Sequence, residues 1–183
     1  MTTSNKDIIN AAGRIIVQSG ILGLTLDRLM QEPEIGRKRL PKEIESESGL
    51  FELLLQDFEQ EVSVLVTAIA NQKTAPDEEI SLLFKGLYKL FKHNQWYLDL
   101  AFDPDLISRC AKAENIIFRI KWMAKSYLTR LIQRGKREEV FSITKSTSVL
   151  VNEILESFRA LINDWQLADK MIKDIKYVQP AKD

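Results

Sequence analysis

Apolar residues spaced three and four positions apart run through most of this 183-residue chain. Near the N-terminus Ile8, Ala12, Ile15 and Ile16 fall on one face of a helix. The longest stripe consists of Phe51, Leu54, Leu55, Phe58, Val62, Leu65, Val66 and Ile69. Strand-type alternation and hairpin dipeptides are absent from the sequence. The pattern therefore predicts an all-α fold of about nine helices.

The first two predicted helices have recognisable ends. Ser4 or Asn5 is suited to the N-cap of the first helix, and Gly20 is suited to its C-terminal end. Thr25 is a natural N-cap for a short second helix. These residues predict two helices within the first 32 positions.

A break follows the second helix at Pro33 and Gly36, and a third short helical segment is expected over about 37–44. Pro41 is tolerated only in the first turn of a helix. The third helix is therefore expected to start near Leu40 and to be very short.

The rest of the chain is predicted to consist of longer helices. Ser48 is expected to cap the fourth helix, and Gly135 to close a later one. The later helices are expected over about 77–93, a shorter segment after Asp103–Pro104, 113–134, 144–166 and 169–177. We place a domain boundary near residue 48, between an N-terminal three-helix domain (1–47) and a larger helical domain (48–183).

Bulk properties exclude several classes of protein. The single cysteine, Cys110, excludes an internal disulfide framework and fits a reducing compartment. The first 14 residues lack the continuous apolar segment of a signal peptide, and no apolar run approaches the roughly 20 residues that span a bilayer. We therefore expect a soluble cytoplasmic protein that has no membrane partner.

Four basic residues, Arg37, Lys38, Arg39 and Lys42, lie just after the break. They are candidates for contacts with nucleic-acid phosphates and with guanine. They also fit a solvated turn that offsets neighbouring glutamates. Residues 1–60 carry seven basic and ten acidic groups, a net charge of 7 − 10 = −3. A DNA contact would therefore depend on this local cluster.

The segment 7–55 resembles the tetracycline-repressor-like (TetR) family of transcriptional regulators. That family opens with a helix of the type I-x-x-A-A-x-x-L-F-x-x-x-G, and DIINAAGRIIVQSG fits it closely. The following helix-turn-helix motif aligns with residues 25–50 without a gap. The matching or similar positions are Thr25, Leu29, Ile35, Leu40, Ile44, Ser46 and Leu50.

The resemblance implies a DNA-binding regulator, most often a repressor, that acts as a homodimer on a double-stranded operator and responds to an unknown small-molecule effector. The implied DNA-contacting residues are Thr25, Arg37, Lys38, Arg39 and Lys42. Aromatic residues that the resemblance makes candidates for lining an effector pocket are Phe84, Tyr88, Trp96, Tyr97, Phe118, Trp122 and Tyr127. They are equally candidates for ordinary core packing.

Several motif positions depart from the family pattern. Pro41 replaces the aromatic residue that usually touches a phosphate, Glu43 replaces a histidine, and Glu47 replaces a lysine. Gly36 stands where the family has serine. These departures favour an alternative, in which a helical protein of this fold binds a protein partner or a small molecule without sequence-specific DNA recognition.

Catalytic and metal-binding patterns are missing from the sequence. His93 is the only histidine, so no pair of histidines can hold a transition metal. Cys110 has no recognisable activating partner, and the sequence contains neither a glycine-rich phosphate loop nor a nucleophile elbow. We therefore expect no enzymatic activity, no catalytic residue, no bound metal and no cofactor.

Overall fold

The computed structural model describes residues 4–36, 40–142 and 144–176, and these residues form an all-α fold. The α-helices are α1 (Asn5–Ser19), α2 (Leu26–Gln31), α3 (Glu47–Ala70), α4 (Pro76–His93), α5 (Trp96–Phe102), α6 (Leu106–Arg109), α7 (Ala113–Arg137), α8 (Thr147–Glu156), α9 (Phe158–Asn163) and α10 (Trp165–Ile175). Two 3₁₀ helices cover Ile21–Gly23 and Lys42–Ile44. The predicted fold class is confirmed, although the described residues form ten α-helices where about nine were expected.

The chain divides into two compact units. The first unit comprises residues 1–61 and 91–120, and the second comprises 62–90 and 121–183. Each unit has its own set of buried apolar side chains. The boundary predicted near residue 48 remains a proposal about domain organisation.

The first unit is built around α1, which contacts α2, the first 3₁₀ helix and α5. Ser4 caps α1 by accepting a hydrogen bond from the Asp7 amide at 3.2 Å, and Gly20 ends it with a φ of 69°. Gly13 lies so close to the indole of Trp96 that a Cβ would overlap it. A glycine in the middle of α1 thus allows α5 to approach closely.

The second unit contains a buried ionic network. Glu79 is 3 % exposed and accepts hydrogen bonds from the Tyr127 hydroxyl and from Nη2 of Arg134, both at 2.6 Å. Arg134 also donates to the Thr74 carbonyl oxygen at 3.0 Å. Burial, and then the hydrogen bond to Glu79, raises the pKa of the Tyr127 phenol. The network holds the start of α4 against the C-terminal half of α7.

The start of α3 differs from the prediction. The helix begins at Glu47, and the Gly49 amide donates to the Ser46 Oγ at 3.0 Å. The expected cap, Ser48, lies inside the first turn. Ser46 is the better cap because its position precedes the first helical residue.

The predicted helix over 144–166 is wrong, because the structure divides this segment into α8, α9 and the start of α10. Ser157 lies between α8 and α9, and Asp164 lies between α9 and α10. Asp164 has an extended backbone, and its carboxylate accepts from the Gln166 amide at 3.0 Å. A short polar side chain that bonds its own backbone in this way competes with helix continuation.

The end of α7 also differs from the prediction. Gly135 does not close α7, which continues to Arg137. Instead, the ring of Phe141 lies against Gly135 and leaves no room for a Cβ. The glycine is needed for close packing inside the second unit, a role that cannot be distinguished in sequence from that of a helix terminator.

Across residues 4–36, 40–142 and 144–176, none of the helices combines the length and the apolar character needed to span a membrane.

Candidate nucleic-acid interface

The segment predicted to be a helix-turn-helix begins at Thr25, whose extended backbone precedes α2. The Thr25 hydroxyl accepts a hydrogen bond from the Arg28 amide at 3.2 Å, and the residue is half-buried. Thr25 is therefore the N-cap of α2, as predicted from the sequence. Its predicted phosphate contact stays a prediction.

A tight turn follows α2. The amides of Ile35 and Gly36 both donate to the Glu32 carbonyl oxygen, each at 2.9 Å. A Cβ on Gly36 would overlap the carbonyl oxygen of Met30. This contact explains why glycine occupies position 36, where the TetR-like family that the sequence resembles has serine.

Arg14 connects α1 to this turn. Its Nη2 donates to Oε2 of Glu32 at 3.1 Å and also to a carboxylate oxygen of Glu34. The two hydrogen bonds raise the pKa of the guanidinium, the larger effect coming from Glu32. One arginine therefore binds both acidic residues that flank Pro33, and a net charge of −1 remains among the three groups.

The segment expected to enter DNA is shorter than a typical recognition helix. Pro41 precedes a single 3₁₀ turn, Lys42–Ile44, in which the Ile44 amide donates to the Pro41 carbonyl at 2.9 Å. Leu40 and Ile44 are buried, whereas Lys42 is exposed. The third helix predicted to start near Leu40 is therefore replaced, among residues 40–46, by a single 3₁₀ turn that starts at Lys42. Its predicted shortness agrees with the structure. Arg37, Lys38 and Arg39 lie outside the described residues.

Arg109, in α6, binds two parts of the N-terminal segment. Its Nη1 donates to the Ile21 carbonyl at 2.5 Å, and its Nη2 donates to the Leu24 carbonyl at 2.8 Å and to Oε2 of Glu47 at 2.9 Å. The guanidinium also lies over the Phe51 ring, 4.7 Å from its centroid. Arg109 therefore holds the residues before α2 and the first residue of α3 in fixed positions relative to α6.

The sequence pattern did not indicate a structural role for Arg109. Its partners lie 62 to 88 positions away along the chain, and α6 is four residues long. The departure of Glu47 from the family pattern was a signal of this contact, because an acidic residue at that position needs a cation. The contact gives Glu47 a role within the protein in place of the phosphate contact that a lysine would make.

A second internal link involves Tyr97 in α5. Its hydroxyl donates to Oδ2 of Asp57 in α3 at 2.6 Å, and its ring stacks on Phe58 with centroids 4.8 Å apart. Burial, followed by the hydrogen bond to Asp57, raises the pKa of the phenol well above its usual value. Tyr97 is thus a core residue of the first unit with its polar end satisfied.

The aromatic residues proposed to line an effector pocket are divided between the two units. Trp96, Tyr97 and Phe118 belong to the first unit, and Phe84, Tyr88, Trp122 and Tyr127 belong to the second. Phe84 and Tyr127 are buried, Tyr88 is half-buried, and Phe118 and Trp122 are 65 % and 64 % exposed. Their role in binding an effector stays a prediction.

A surface cleft of about 490 Å³ lies in the first unit, between α1 and the turn that joins α4 to α5. Its lining residues are Asn10, Gly13, Arg14, Val17, Gln18, Lys92, His93, Asn94, Gln95 and Trp96. Trp96 is therefore the one of the seven aromatic candidates that lines this cleft. Within the described ranges, no group of three or more His, Cys, Asp or Glu side chains is placed to hold a metal ion.

Comparisons with known proteins bear on the fold. No protein-family model matches the chain, and no curated protein matches it significantly. The fatty acid degradation regulator FadR from Bacillus halodurans is similar in structure, with a TM-score of 0.65 and 15 % identity over 93 % of this chain and 91 % of that one. A protein from Vibrio parahaemolyticus described as a TetR-family transcriptional regulator has a TM-score of 0.54 and 20 % identity over 94 % and 98 % of the two chains. The chain thus has the all-α fold of TetR-like transcriptional regulators.

Proposed function

We propose that this chain is a DNA-binding transcriptional regulator that acts as a homodimer in the cytoplasm, with no catalytic activity of its own. Residues 1–47 would form the DNA-binding domain, and 48–183 the dimerisation and effector domain. A small-molecule effector bound in the second domain would weaken the binding of a repressor to its operator. The observation that supports this proposal most directly is α2 with its Thr25 cap, followed by the tight turn at Gly36 and preceded by residues that Arg109 binds.

The DNA contacts would come mainly from phosphates. Lys42 is exposed at the start of its 3₁₀ turn, and Arg37, Lys38 and Arg39 precede it in the sequence. A short segment after a proline presents few side chains to base edges, whereas charged side chains in a turn can still reach the backbone. We therefore expect binding with a strong salt dependence and modest discrimination between sequences.

Fluorescence anisotropy with a labelled duplex from upstream of its own gene, beside a random duplex of equal length, tests the proposal. Under the proposal the upstream duplex binds more tightly across a salt series. The double variant Arg37→Ala/Arg39→Ala should weaken binding at least tenfold and make the salt slope shallower by about two. The control variant Lys121→Ala/Lys125→Ala removes two exposed charges of α7 and should leave affinity within about twofold. Equal binding of the two duplexes at every salt concentration of the series would contradict the proposal.

The rival function is binding of a protein partner or small molecule without specific DNA recognition. The observation that favours it is the pairing of Glu47 with Arg109, together with the shortness of the turn Lys42–Ile44. Under this alternative, Arg37→Ala/Arg39→Ala changes no binding activity of the protein. The same anisotropy series therefore distinguishes the two functions.

A further inference from the structure

The cleft between α1 and the α4–α5 turn has an unusual lining. Five lining residues of α1 (Asn10, Gly13, Arg14, Val17 and Gln18) are spaced three and four positions apart, so they share one face of the helix. The opposite side comes from five consecutive residues, 92–96. Both sides belong to the first unit, so the cleft is a feature of one compact body.

The polar groups of the cleft are suited to an anion. Lys92, Arg14 and His93 line it, and none of its ten lining residues is acidic. Amide side chains of Asn10 and Gln95 add neutral donors. A lining of cations and neutral donors with no acidic residue of its own favours phosphate or carboxylate groups, although Arg14 already binds two carboxylates outside the lining.

Trp96 also lines the cleft, and it is largely buried. Nε1 of Trp96 lies against Gly13, whose missing side chain leaves space there. Within the described part of the chain, this indole N–H makes no hydrogen bond. An indole nitrogen is a donor only, so it too favours an acceptor in the ligand.

Arg14 links this cleft to the helix-turn-helix. The guanidinium that lines the cleft is the same group that binds Glu32 and Glu34 in the turn after α2. Arg14 is half-exposed, so an incoming anion can reach it. An anion that takes hydrogen bonds from Arg14 must compete with Glu32 and Glu34. Loss of the hydrogen bonds from Arg14 to these two glutamates would loosen the turn.

We propose that this cleft is a binding site for a small anionic molecule, carrying a phosphate or a carboxylate, which competes with Glu32 and Glu34 for Arg14. Occupation of the cleft loosens the turn that precedes the basic cluster. The consequence for DNA rests on the proposed function, whereas binding to the cleft does not.

Titration of the ¹⁵N-labelled full chain with inorganic phosphate or with succinate tests binding, with sodium chloride at equal ionic strength as the control. The Trp96 indole N–H and the Gly13 amide should shift saturably in the millimolar range with phosphate, succinate or both. The more tightly bound probe identifies the anionic group. Shifts that sodium chloride reproduces, or no shift with either probe, would overturn the site.

Two substitutions on α4 locate the binding. Lys92→Gln removes an exposed lining charge and should raise the Kd of the bound probe about fivefold, the upper end expected for an exposed charge pair. Lys89→Gln removes an exposed charge one turn earlier that does not line the cleft, and it should leave the Kd within about twofold. Equal effects of the two substitutions would show that the anion binds elsewhere.

The competition for Arg14 is read at the turn itself. The Ile35 and Gly36 amides bond to the Glu32 carbonyl, so their resonances should move as the probe binds. Arg14→Gln should move them in the same direction without any probe. A shift at Trp96 with no shift at Ile35 and Gly36 would overturn the link between cleft and turn.

The consequence for DNA is measured separately. If the upstream duplex binds, the probe should weaken that binding at constant ionic strength in the wild-type protein and not in Arg14→Gln. Unchanged affinity would overturn the regulatory part of the inference while the proposed function stands. Failure of the duplex to bind would overturn the proposed function, and the titrations would still decide the anion site.

Discussion

At the scale of single residues, Arg109 has a role that its four-residue helix does not suggest. It is 16 % exposed and satisfies two backbone carbonyls and the Glu47 carboxylate. Arg109→Ala should lower the free energy of unfolding by about 3 kcal/mol, because it leaves these acceptors without their donor. Urea unfolding at a fixed protein concentration measures this loss.

Arg119→Ala is the matched control for Arg109. Arg119 forms a two-bond pair with Glu59 at 2.7 and 2.6 Å, but it is half-exposed. Its removal should change stability much less, since exposed ion pairs are screened by water. Equal losses of unfolding free energy for the two variants would show that the burial of Arg109 does not strengthen its contribution to stability.

The raised pKa of Tyr97 predicts that the stability of the folded protein depends on pH. In the unfolded chain the phenol ionises near pH 10.0, and in the folded chain its pKa is higher. Between these two values the unfolded state has lost a proton that the folded state retains, so stability falls as the pH rises above about 10. Below that pH the contribution is fully present. Tyr97→Phe should cost about 1 kcal/mol at neutral pH and should make the alkaline loss shallower in urea unfolding.

Tyr127→Phe provides the comparison, because the pKa of Tyr127 is also raised by burial and by an acidic partner, Glu79. Each substitution should remove part of the loss of unfolding free energy above pH 10, and the double variant should remove both contributions. If Tyr97→Phe loses stability above pH 10 as steeply as the wild-type protein does, the pKa of Tyr97 is not raised in the folded protein.

At the scale of helices, the start of α3 is set by Ser46. Ser46→Ala should destabilise the protein by about 1 kcal/mol, because the Gly49 amide loses its acceptor. Ser48→Ala, a change of the same size two positions later, should alter stability by less than about 0.5 kcal/mol. Thermal unfolding followed by circular dichroism measures both. A larger effect at Ser48 would restore the cap expected from the sequence.

The C-terminal helices show how a local polar group alters an element. Apolar periodicity continues through 144–166, and by itself it predicts one helix. The chain nevertheless leaves helical geometry at Asp164, whose carboxylate caps α10. Leu161 and Ile162 are buried on one side of this break and Ala168 on the other. Apolar residues are therefore buried on both sides of the break.

At the scale of the whole molecule, the proposed homodimer is the prediction that most affects function, since a two-fold operator requires two DNA-binding domains. Light scattering should give twice the mass of a single chain. Val149 is 45 % exposed on α8, within residues 48–183, the proposed dimerisation and effector domain. Val149→Glu should therefore shift the protein towards monomer.

Leu22→Glu is the control for the dimer prediction, because Leu22 is an exposed leucine in the first unit. It should leave the measured mass unchanged. A wild-type mass equal to that of one chain would contradict the homodimer, and a monomer from Leu22→Glu alone would place the interface in the first unit.

The local features of the predicted helix-turn-helix segment follow from the sequence. The long-range contacts that hold this segment in place do not. Thr25 as a cap and the short segment after Pro41 follow from local backbone preferences. The attachment of Glu47 to Arg109 joins residues 62 positions apart, and no local pattern contains that information. The same holds for Arg14, whose partners Glu32 and Glu34 both lie in the turn after α2.

The sequence alone determined that the chain is helical and where its first helices begin, because periodicity and capping at residues such as Ser4 act over three or four positions. Tertiary structure decided which side chains meet. It placed Gly135 inside α7 against Phe141, joined Arg109 to the N-terminal segment, and formed a basic cleft beside Arg14. The physical reason is the distance along the chain over which each interaction acts. Backbone preferences are local, whereas burial and ion pairing depend on neighbours that only folding brings together.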